Sequence, residues 1–140
     1  MTDLERIRMK VFLSYRFTGE DPAELKEVLK RLCASLDKAG HTCFCSLWKD
    51  DFFNENKFTH KQILDYAFKE IDNSDCLLAF VKSAEKSEGM LLEIGYALAK
   101  SKKFILAVKK GLDTVFLHEM ADQVIEFENL EELYEKLEKL

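Results

Sequence analysis

The stretch Asp75-Cys76-Leu77-Leu78-Ala79-Phe80-Val81 decides the fold, because an unbroken apolar run after a single acid is typical of a central, fully buried strand. Such a strand belongs to a parallel sheet that helices cover on both faces. The flanking sequence supplies both kinds of element. Further strands are predicted at residues 9–15, 42–47, 104–108 and 123–127. Helices are predicted after Asp21 and Thr59, from Gly89, and at 114–120 and 130–140.

This alternation predicts one flavodoxin- or Rossmann-like α/β domain of three layers over residues 1–140, with a five-stranded parallel sheet in the order 2-1-3-4-5. Residues 48–58 are predicted to form a polar-aromatic loop. Ligands bind such sheets beyond the carboxyl ends of the strands, where the strand order reverses. The first strand ends at Ser14-Tyr15-Arg16, and the third leads to Ser87-Glu88-Gly89. We therefore expect a crevice between these two segments.

Glu93 is the unusual residue of the helix that leaves this crevice. The stretch Gly89-Met90-Leu91-Leu92-Glu93-Ile94-Gly95-Tyr96-Ala97-Leu98-Ala99 is otherwise apolar, small or aromatic. A helix that is apolar on nearly all sides is expected to be buried, and a buried acid costs free energy unless it is paired or needed for chemistry. Burial and topology thus both select Glu93 as a candidate catalytic residue.

Composition limits the classes of partner. The chain has 140 residues, 47% of them hydrophobic, and a formal net charge of −5. An acidic chain is poorly suited to bind a nucleic acid polymer or an anionic membrane. No apolar run approaches the ~20 residues that span a bilayer, and Met1 to Arg6 do not resemble a secretory signal. We therefore expect a cytoplasmic protein.

The four cysteines lack the spacing of a zinc site, so neither a metal nor another cofactor is expected. Cys33, Cys43, Cys45 and Cys76 are predicted to be reduced, buried thiols.

The crevice lacks the common phosphate-binding motifs. No Gly-x-Gly-x-x-Gly follows a strand, there is no Walker lysine motif, and Val81-Lys82 stands where a response regulator has its aspartate. A helix N-terminus at Ser87 and Gly89 can still bind an anion through free N–H groups, and Arg16 can clamp one. A carboxylate about one turn further in suits a nucleotide whose sugar meets the acid.

Two segments carry a family resemblance: Asp75-Cys-Leu-Leu-Ala-Phe-Val, and Ser87-x-Gly89-x-x-x-Glu93-Ile-Gly-Tyr-Ala. They resemble the nucleoside 2-deoxyribosyltransferase superfamily, which includes 2′-deoxynucleoside 5′-phosphate N-hydrolases, and the similarity extends over about residues 9–111. The resemblance implies that Glu93 attacks the anomeric carbon of a small nucleotide or nucleoside, and that water or a second base resolves the intermediate. It leaves a homodimer or larger homo-oligomer open.

Two departures from the family pattern bear on the site. Transferases that act on free nucleosides typically have an aspartate where this chain has Ser87, which favours a nucleotide because a hydroxyl can donate to phosphate. The usual acid-base aspartate is replaced by Ala67, so Asp65, or else Asp50 or Asp51, is the candidate proton-transfer residue. The remaining candidates for substrate contact are Ser14, Tyr15 and Tyr96.

Two alternatives stay open. Val11-Phe-Leu-Ser-Tyr-Arg16 followed by Gly19-Glu20-Asp21 is similar to the opening of Toll/interleukin-1 receptor (TIR) domains, some of which cleave NAD with a glutamate. The downstream Trp-Cys pattern of those domains is absent here. The substitution at Ala67 also motivates a catalytically silent nucleotide-binding module.

Overall fold

A five-stranded parallel sheet forms the middle layer of the protein. The structure, a computed structural model, describes residues 7–85 and 87–140. The prediction that the chain has no secretory signal was made from Met1 to Arg6, which lie outside the described residues. The strands are β1 (Lys10–Ser14), β2 (Thr42–Cys45), β3 (Cys76–Val81), β4 (Lys103–Lys109) and β5 (Gln123–Phe127). Their order is β2-β1-β3-β4-β5, and every pairing is parallel, which confirms the predicted topology.

Helices cover both faces of this sheet. They are α1 (Pro22–Lys38), α2 (Asp50–Glu55), α3 (His60–Asp72), α4 (Glu88–Ala99), α5 (Phe116–Met120) and α6 (Leu130–Glu138). One core layer lies between the sheet and helices α1 and α6, and the other lies under α3, α4 and α5. No helix of the described residues is long and apolar enough to cross a membrane.

Strand β3 shows why its apolar run decided the fold. All six of its residues are buried. Because successive side chains of a strand point to opposite faces, Leu78 and Phe80 enter the layer under α1 and α6, while Leu77 and Ala79 enter the other. Neither face of this strand meets solvent, which is the reason that it needs no polar position.

Predicted caps mark where α1 and α3 begin. The Asp21 carboxylate accepts the backbone N–H groups of Ala23 and Glu24, and Pro22 occupies the first helical turn, where its missing N–H is not needed. Thr59 and Gln62 form a reciprocal capping box at the start of α3. Each helix follows the carboxyl end of a strand or its connection, so these starts lie towards the edge of the sheet where ligands bind.

The predicted loop at residues 48–58 is wrong. Residues Ser46–Lys49 form a 3-10 turn, and α2 follows directly. Phe53 is buried, with its ring centroid 5.2 Å from those of both Phe58 and Tyr66. The segment is too short to show a helical period, and its order comes from packing against Tyr66 of α3.

The prediction of four reduced thiols is also wrong. A disulfide joins Cys33 on α1 to Cys43 on β2, with the two Cα atoms 5.4 Å apart. Cys45 and Cys76 are free and buried, as expected. The pairing arises because α1 packs against β2, a contact that cysteine spacing does not reveal.

Helix α4 is less buried than its composition predicts. Met90, Ile94 and Ala97 pack on the sheet, whereas the side chains of Leu91 and Leu92 are 43% and 53% exposed. The prediction that the helix is buried on nearly all sides is therefore wrong for its outer face. Only the face that carries Met90, Ile94 and Ala97 covers the core in this chain.

Candidate active site

Glu93 lies over the carboxyl end of β1. The hydroxyl of Ser14, the last residue of β1, donates a 2.7 Å hydrogen bond to Glu93 Oε1. Ser14 is 1% exposed and stands beside Ala79 of β3 in the sheet register. Since β1 and β3 flank the point where the strand order reverses, this carboxylate lies at the edge of the sheet where a crevice is predicted.

The carboxyl group of Glu93 is hard to ionise. Burial raises its pKa from 4.5 to about 7, and the hydrogen bond from Ser14 only partly opposes that shift. The cations Arg16 and Lys82, which follow β1 and β3, form ion pairs with Glu20 and Glu85 rather than with Glu93. The protein thus keeps an acid of raised pKa at the carboxyl edge of the sheet, and groups with perturbed pKa values are enriched at functional sites.

Tyr15 and Cys45 lie beside this acid. The Tyr15 hydroxyl and the Cys45 thiol lie close enough to affect one another's pKa. Burial raises the pKa of Tyr15 above its usual range and that of Cys45 to about 12, and the charge of Glu93 adds to both shifts. Both groups are therefore protonated at neutral pH. Cys45 was predicted from the sequence only as a buried thiol, although its place at the carboxyl end of β2 was a usable signal that it lies near the site.

Asp50 also lies close enough to Tyr15 to affect the pKa of its hydroxyl. Its negative charge, like that of Glu93, contributes to the raised pKa of Tyr15. It is the first residue of α2, which follows β2 through the 3-10 turn. The order of that segment therefore brings Asp50 towards the same edge of the sheet as Glu93.

Arg16 belongs to a cluster of charges at the mouth of the crevice. Its guanidinium donates to the carboxylate of Glu85 and, over 3.4 Å, to the hydroxyl of Ser83. Glu20 lies 3.7 Å from Arg16 and 2.6 Å from the ammonium of Lys82. The predicted anion clamp thus already has anionic partners.

Helix α4 begins shortly after the loop that carries Ser83 and Glu85, and its Met90 lines one hollow with Arg16. Ser87 is its N-cap, and the Ser87 hydroxyl oxygen accepts the Met90 N–H at 3.0 Å, which leaves the hydroxyl hydrogen able to donate elsewhere. A Cβ added at Gly89 would meet nothing within 4 Å. The first turn therefore presents backbone N–H groups with open space before them.

The structure does not bring Tyr96 into the crevice. Its ring stacks on Phe68 with centroids 4.2 Å apart, and its hydroxyl donates to Asp72 at 2.8 Å. Asp72 ends α3 shortly before β3 begins, so it lies towards the amino edge of the sheet. Helix α4 runs away from the crevice, and three residues beyond Glu93 carry Tyr96 out of reach.

Asp65 likewise falls outside. It lies on the exposed side of α3, where its carboxylate pairs with Lys61 over 2.7 Å. Ala67 and Ile71 are the α3 residues that face the core. Because two residues turn a helix by roughly 200°, the burial of Ala67 directs Asp65 towards solvent.

An open cleft of roughly 330 Å³ lies between the segments that follow β1 and β2; Glu93 does not line it, and Asp50, whose charge acts on Tyr15, does. It is lined by Phe17, Pro22, Lys26, Leu47, Trp48, Asp50 and Asp51. Of the aromatic residues in the 48–58 segment, Trp48 faces this cleft, whereas Phe52, Phe53 and Phe58 pack around Tyr66 or one another. Within residues 7–85 and 87–140, no group of three or more His, Cys, Asp or Glu side chains is arranged to hold a metal ion.

Comparison with known proteins places the chain in a family. A model of the nucleoside 2-deoxyribosyltransferases matches residues 14–130. The chain belongs to the nucleoside 2-deoxyribosyltransferase family. This family assignment supports the first of the two resemblances found in the sequence. A comparison with curated protein sequences found no relative.

Solved structures agree with the fold of the nucleoside 2-deoxyribosyltransferase family. A CMP N-glycosidase from Clostridium botulinum superposes with a TM-score of 0.68 at 23% identity, over 96% of this chain and 100% of that one. A 2-deoxyribosyltransferase from Bacillus psychrosaccharolyticus superposes with a TM-score of 0.63 at 18% identity, over 89% and 90% of the two chains. A conserved protein from Enterococcus faecalis gives 0.63 at 15% identity, over 95% and 99%.

Proposed function

We propose that this chain cleaves the N-glycosidic bond of a nucleotide, with Glu93 as the nucleophile. The observation that carries the proposal is the partly buried Glu93 carboxyl group, whose pKa is raised to about 7 and which Ser14 holds at the carboxyl end of β1. Two proteins of similar structure are named as a CMP N-glycosidase and a 2-deoxyribosyltransferase, and both names refer to the bond between a base and a sugar. The family and the acid thus support the same class of bond.

The proposed chemistry is a double displacement. Ser14 engages Oε1 of Glu93, so Oε2 is the oxygen available to attack the anomeric carbon. The C1′–N bond breaks as the C1′–O bond forms, and the departing base takes a proton. Water then attacks C1′ of the glycosyl-enzyme and loses its proton to the acid that protonated the base; the C1′–O bond to Glu93 breaks, which frees the carboxylate and leaves a sugar phosphate. The nucleophile must be ionised at the first step, so activity is expected to rise with pH through about 7.

The phosphate of the substrate is assigned to the mouth of the crevice. Arg16 offers a guanidinium, and the first turn of α4 offers N–H groups beside the Ser87 hydroxyl and the open space at Gly89. Glu93 follows Ser87 by six residues, about 9 Å along a helix at 1.5 Å per residue. That distance suits a nucleotide whose phosphate and anomeric carbon lie at opposite sides of the sugar.

The base is assigned to the cleft beside Trp48. Aromatic rings stack on bases without regard to sequence, and Trp48 and Phe17 offer rings at its wall. Asp50 lines the same cleft and acts electrostatically on Tyr15, as Glu93 does. We therefore assign proton delivery to the leaving base to Asp50 rather than to Asp65.

The test of the proposal is base release from a substrate panel. The purified chain is incubated with deoxyribonucleoside monophosphates, ribonucleoside monophosphates including CMP, free nucleosides and NAD, and the released base is measured by chromatography. Base release from a monophosphate supports the proposal. Release from NAD alone selects the TIR-like alternative, and binding without release selects the silent module.

Ser87→Asp is expected to shift preference from nucleotides towards nucleosides. Aspartate caps a helix as well as serine does, so α4 is retained, but a carboxylate repels the phosphate. We expect kcat/KM for a monophosphate to fall at least about tenfold, which corresponds to 1.4 kcal/mol, with little change for the nucleoside. Ser87→Asn, a neutral cap, is the matched control. Equal losses on both substrates would exclude a phosphate contact at this position.

Ser14→Ala is expected to move the acidic limb of the pH–rate profile to higher pH. Its hydrogen bond lowers the pKa of Glu93, so removing it raises that pKa above 7. We expect the limb to shift by on the order of one pH unit, which corresponds to about 1.4 kcal/mol for the lost hydrogen bond. Ser74→Ala, which removes a buried hydroxyl that donates to the Glu70 carbonyl, is the control. A profile that does not move would show that the limb does not report Glu93.

A further inference from the structure

The guanidinium of Arg16 already holds a carboxylate. Nη2 of Arg16 donates to Glu85, and Nη1 donates to Ser83. In the proposed function this guanidinium binds the substrate phosphate. We propose that Glu85 is an exchangeable counter-ion of Arg16 that the phosphate replaces, and that Glu85 thereby sets the affinity for phosphorylated ligands. This inference rests on the phosphate site of the proposed function.

The two acids beside Arg16 differ in how firmly they are held. The Glu20 side chain is 13% exposed and lies between Arg16 and Lys82, so two cations retain it. The Glu85 side chain is 75% exposed and belongs to the loop that follows β3. An exposed ion pair contributes little to stability. A ligand can therefore displace Glu85 at low cost, whereas Glu20 stays and orients both cations.

The charges of the cluster favour exchange for a phosphate. Arg16, Lys82, Glu20 and Glu85 together are formally neutral, and departure of Glu85 leaves one positive charge. A phosphate ester is dianionic near neutral pH and has three acceptor oxygens, so it interacts with this charge and with the α4 N-terminus more strongly than a single carboxylate does. A free nucleoside has no group that can replace Glu85.

The backbone near Arg16 limits where the exchange can occur. Gly19 has a φ of +82°, and a Cβ there would lie 2.8 Å from Nη2 of Arg16. Only glycine adopts this conformation readily and leaves room for the guanidinium. Gly19 and Glu20 thus confine Arg16 on one side, and Glu85 occupies the more exposed side from which a ligand arrives.

The experiment compares Glu85→Gln with wild type in two measurements. The first is the affinity for inorganic phosphate at pH 8 by calorimetry or NMR titration, which needs no turnover. The second is KM for a nucleoside monophosphate and for the free nucleoside. We expect phosphate affinity to rise about two- to fivefold, the range of exposed ion pairs. KM for the monophosphate should fall by the same factor, with kcat and the nucleoside KM unchanged.

Glu88→Gln is the matched control, because it removes an exposed acid from the first turn of α4 without touching Arg16. Unchanged phosphate affinity in Glu85→Gln would overturn the inference, because Glu85 would then have no effect on phosphate binding. An equal gain in Glu88→Gln would also overturn it, because the gain would then be a general effect of removing a negative charge. In an Arg16→Gln background the gain should vanish, and its persistence would also overturn it. A gain in phosphate affinity without base release from any nucleotide upholds the inference and rejects the proposed function.

Discussion

Glu93→Gln should abolish base release while making the folded protein more stable at alkaline pH. An amide cannot form the glycosyl-enzyme, so we expect kcat to fall at least about 10³-fold. The amide oxygen can still accept the Ser14 hydroxyl at the place of Oε1, so the local geometry is kept. Turnover of a nucleoside monophosphate by the two proteins measures this effect.

The gain in stability follows from the pKa of Glu93. Burial raises that pKa from 4.5 to about 7 in the folded state. Ionisation of the carboxyl group is therefore harder in the folded chain than in the unfolded chain, and it costs stability as pH rises from about 4.5 to 7. Above pH 7 the full cost of the shift is present, up to about 3 kcal/mol by linkage. A glutamine has no such cost.

Urea unfolding at pH 5 and pH 8 checks this sign. We expect Glu93→Gln to exceed wild type in free energy of unfolding by up to about 3 kcal/mol at pH 8 and by less than about 1 kcal/mol at pH 5. Glu88→Gln is the control, and it should lower the free energy of unfolding at pH 8. An acid in the first turn of a helix stabilises the helix by about 0.3–1 kcal/mol through its dipole. If Glu93→Gln released base as fast as wild type, Glu93 would be excluded as the nucleophile. If this variant were less stable than wild type at pH 8, ionisation of Glu93 would not cost stability.

Asp50→Asn is expected to reduce kcat by about 10²- to 10⁴-fold, the range for loss of a positioned general acid. Asp65→Asn, its matched control, should stay within about twofold of wild type. The two acids differ in place: Asp50 lines the cleft and acts on Tyr15, whereas Asp65 pairs with Lys61 on the exposed side of α3. Both side chains lie at exposed positions, so neither substitution should disturb folding.

A substrate with a better leaving group separates proton delivery from other roles of Asp50. A nitrophenyl glycoside of the same sugar phosphate releases an anion that needs no proton. Asp50→Asn should therefore lose much less activity on this substrate than on the nucleotide. Equal losses on both would argue that Asp50 positions the ligand, and a larger loss in Asp65→Asn would return the role to Asp65.

Short-range patterns account for much of what was predicted correctly. The apolar run of β3 has no solvated face, and the caps at Asp21 and Thr59 satisfy backbone groups within a few residues. The position of Glu93 followed from one acid in an apolar helix together with the rule for parallel sheets. These are consequences of local chemistry and of a topology with few alternatives.

Contacts between distant segments account for the errors. Cys33 meets Cys43 because α1 packs on β2, and residues 50–55 form a helix because Phe53 packs on Tyr66. Asp65 was placed in the site by its distance along the chain, but the buried face of α3 directs it outward. Sequence distance does not specify helical phase against a sheet that is assembled from other parts of the chain.

The sequence alone determined the order of the strands and the edge of the sheet at which Glu93 lies. Only the tertiary structure decided the contacts near that edge: Ser14 on Glu93, Tyr15 beside Cys45, Glu85 on Arg16, and Asp50 rather than Asp65 at the cleft. The physical reason is that apolar periodicity and capping act over a few residues, whereas hydrogen bonds and ion pairs of a site join segments up to 79 residues apart.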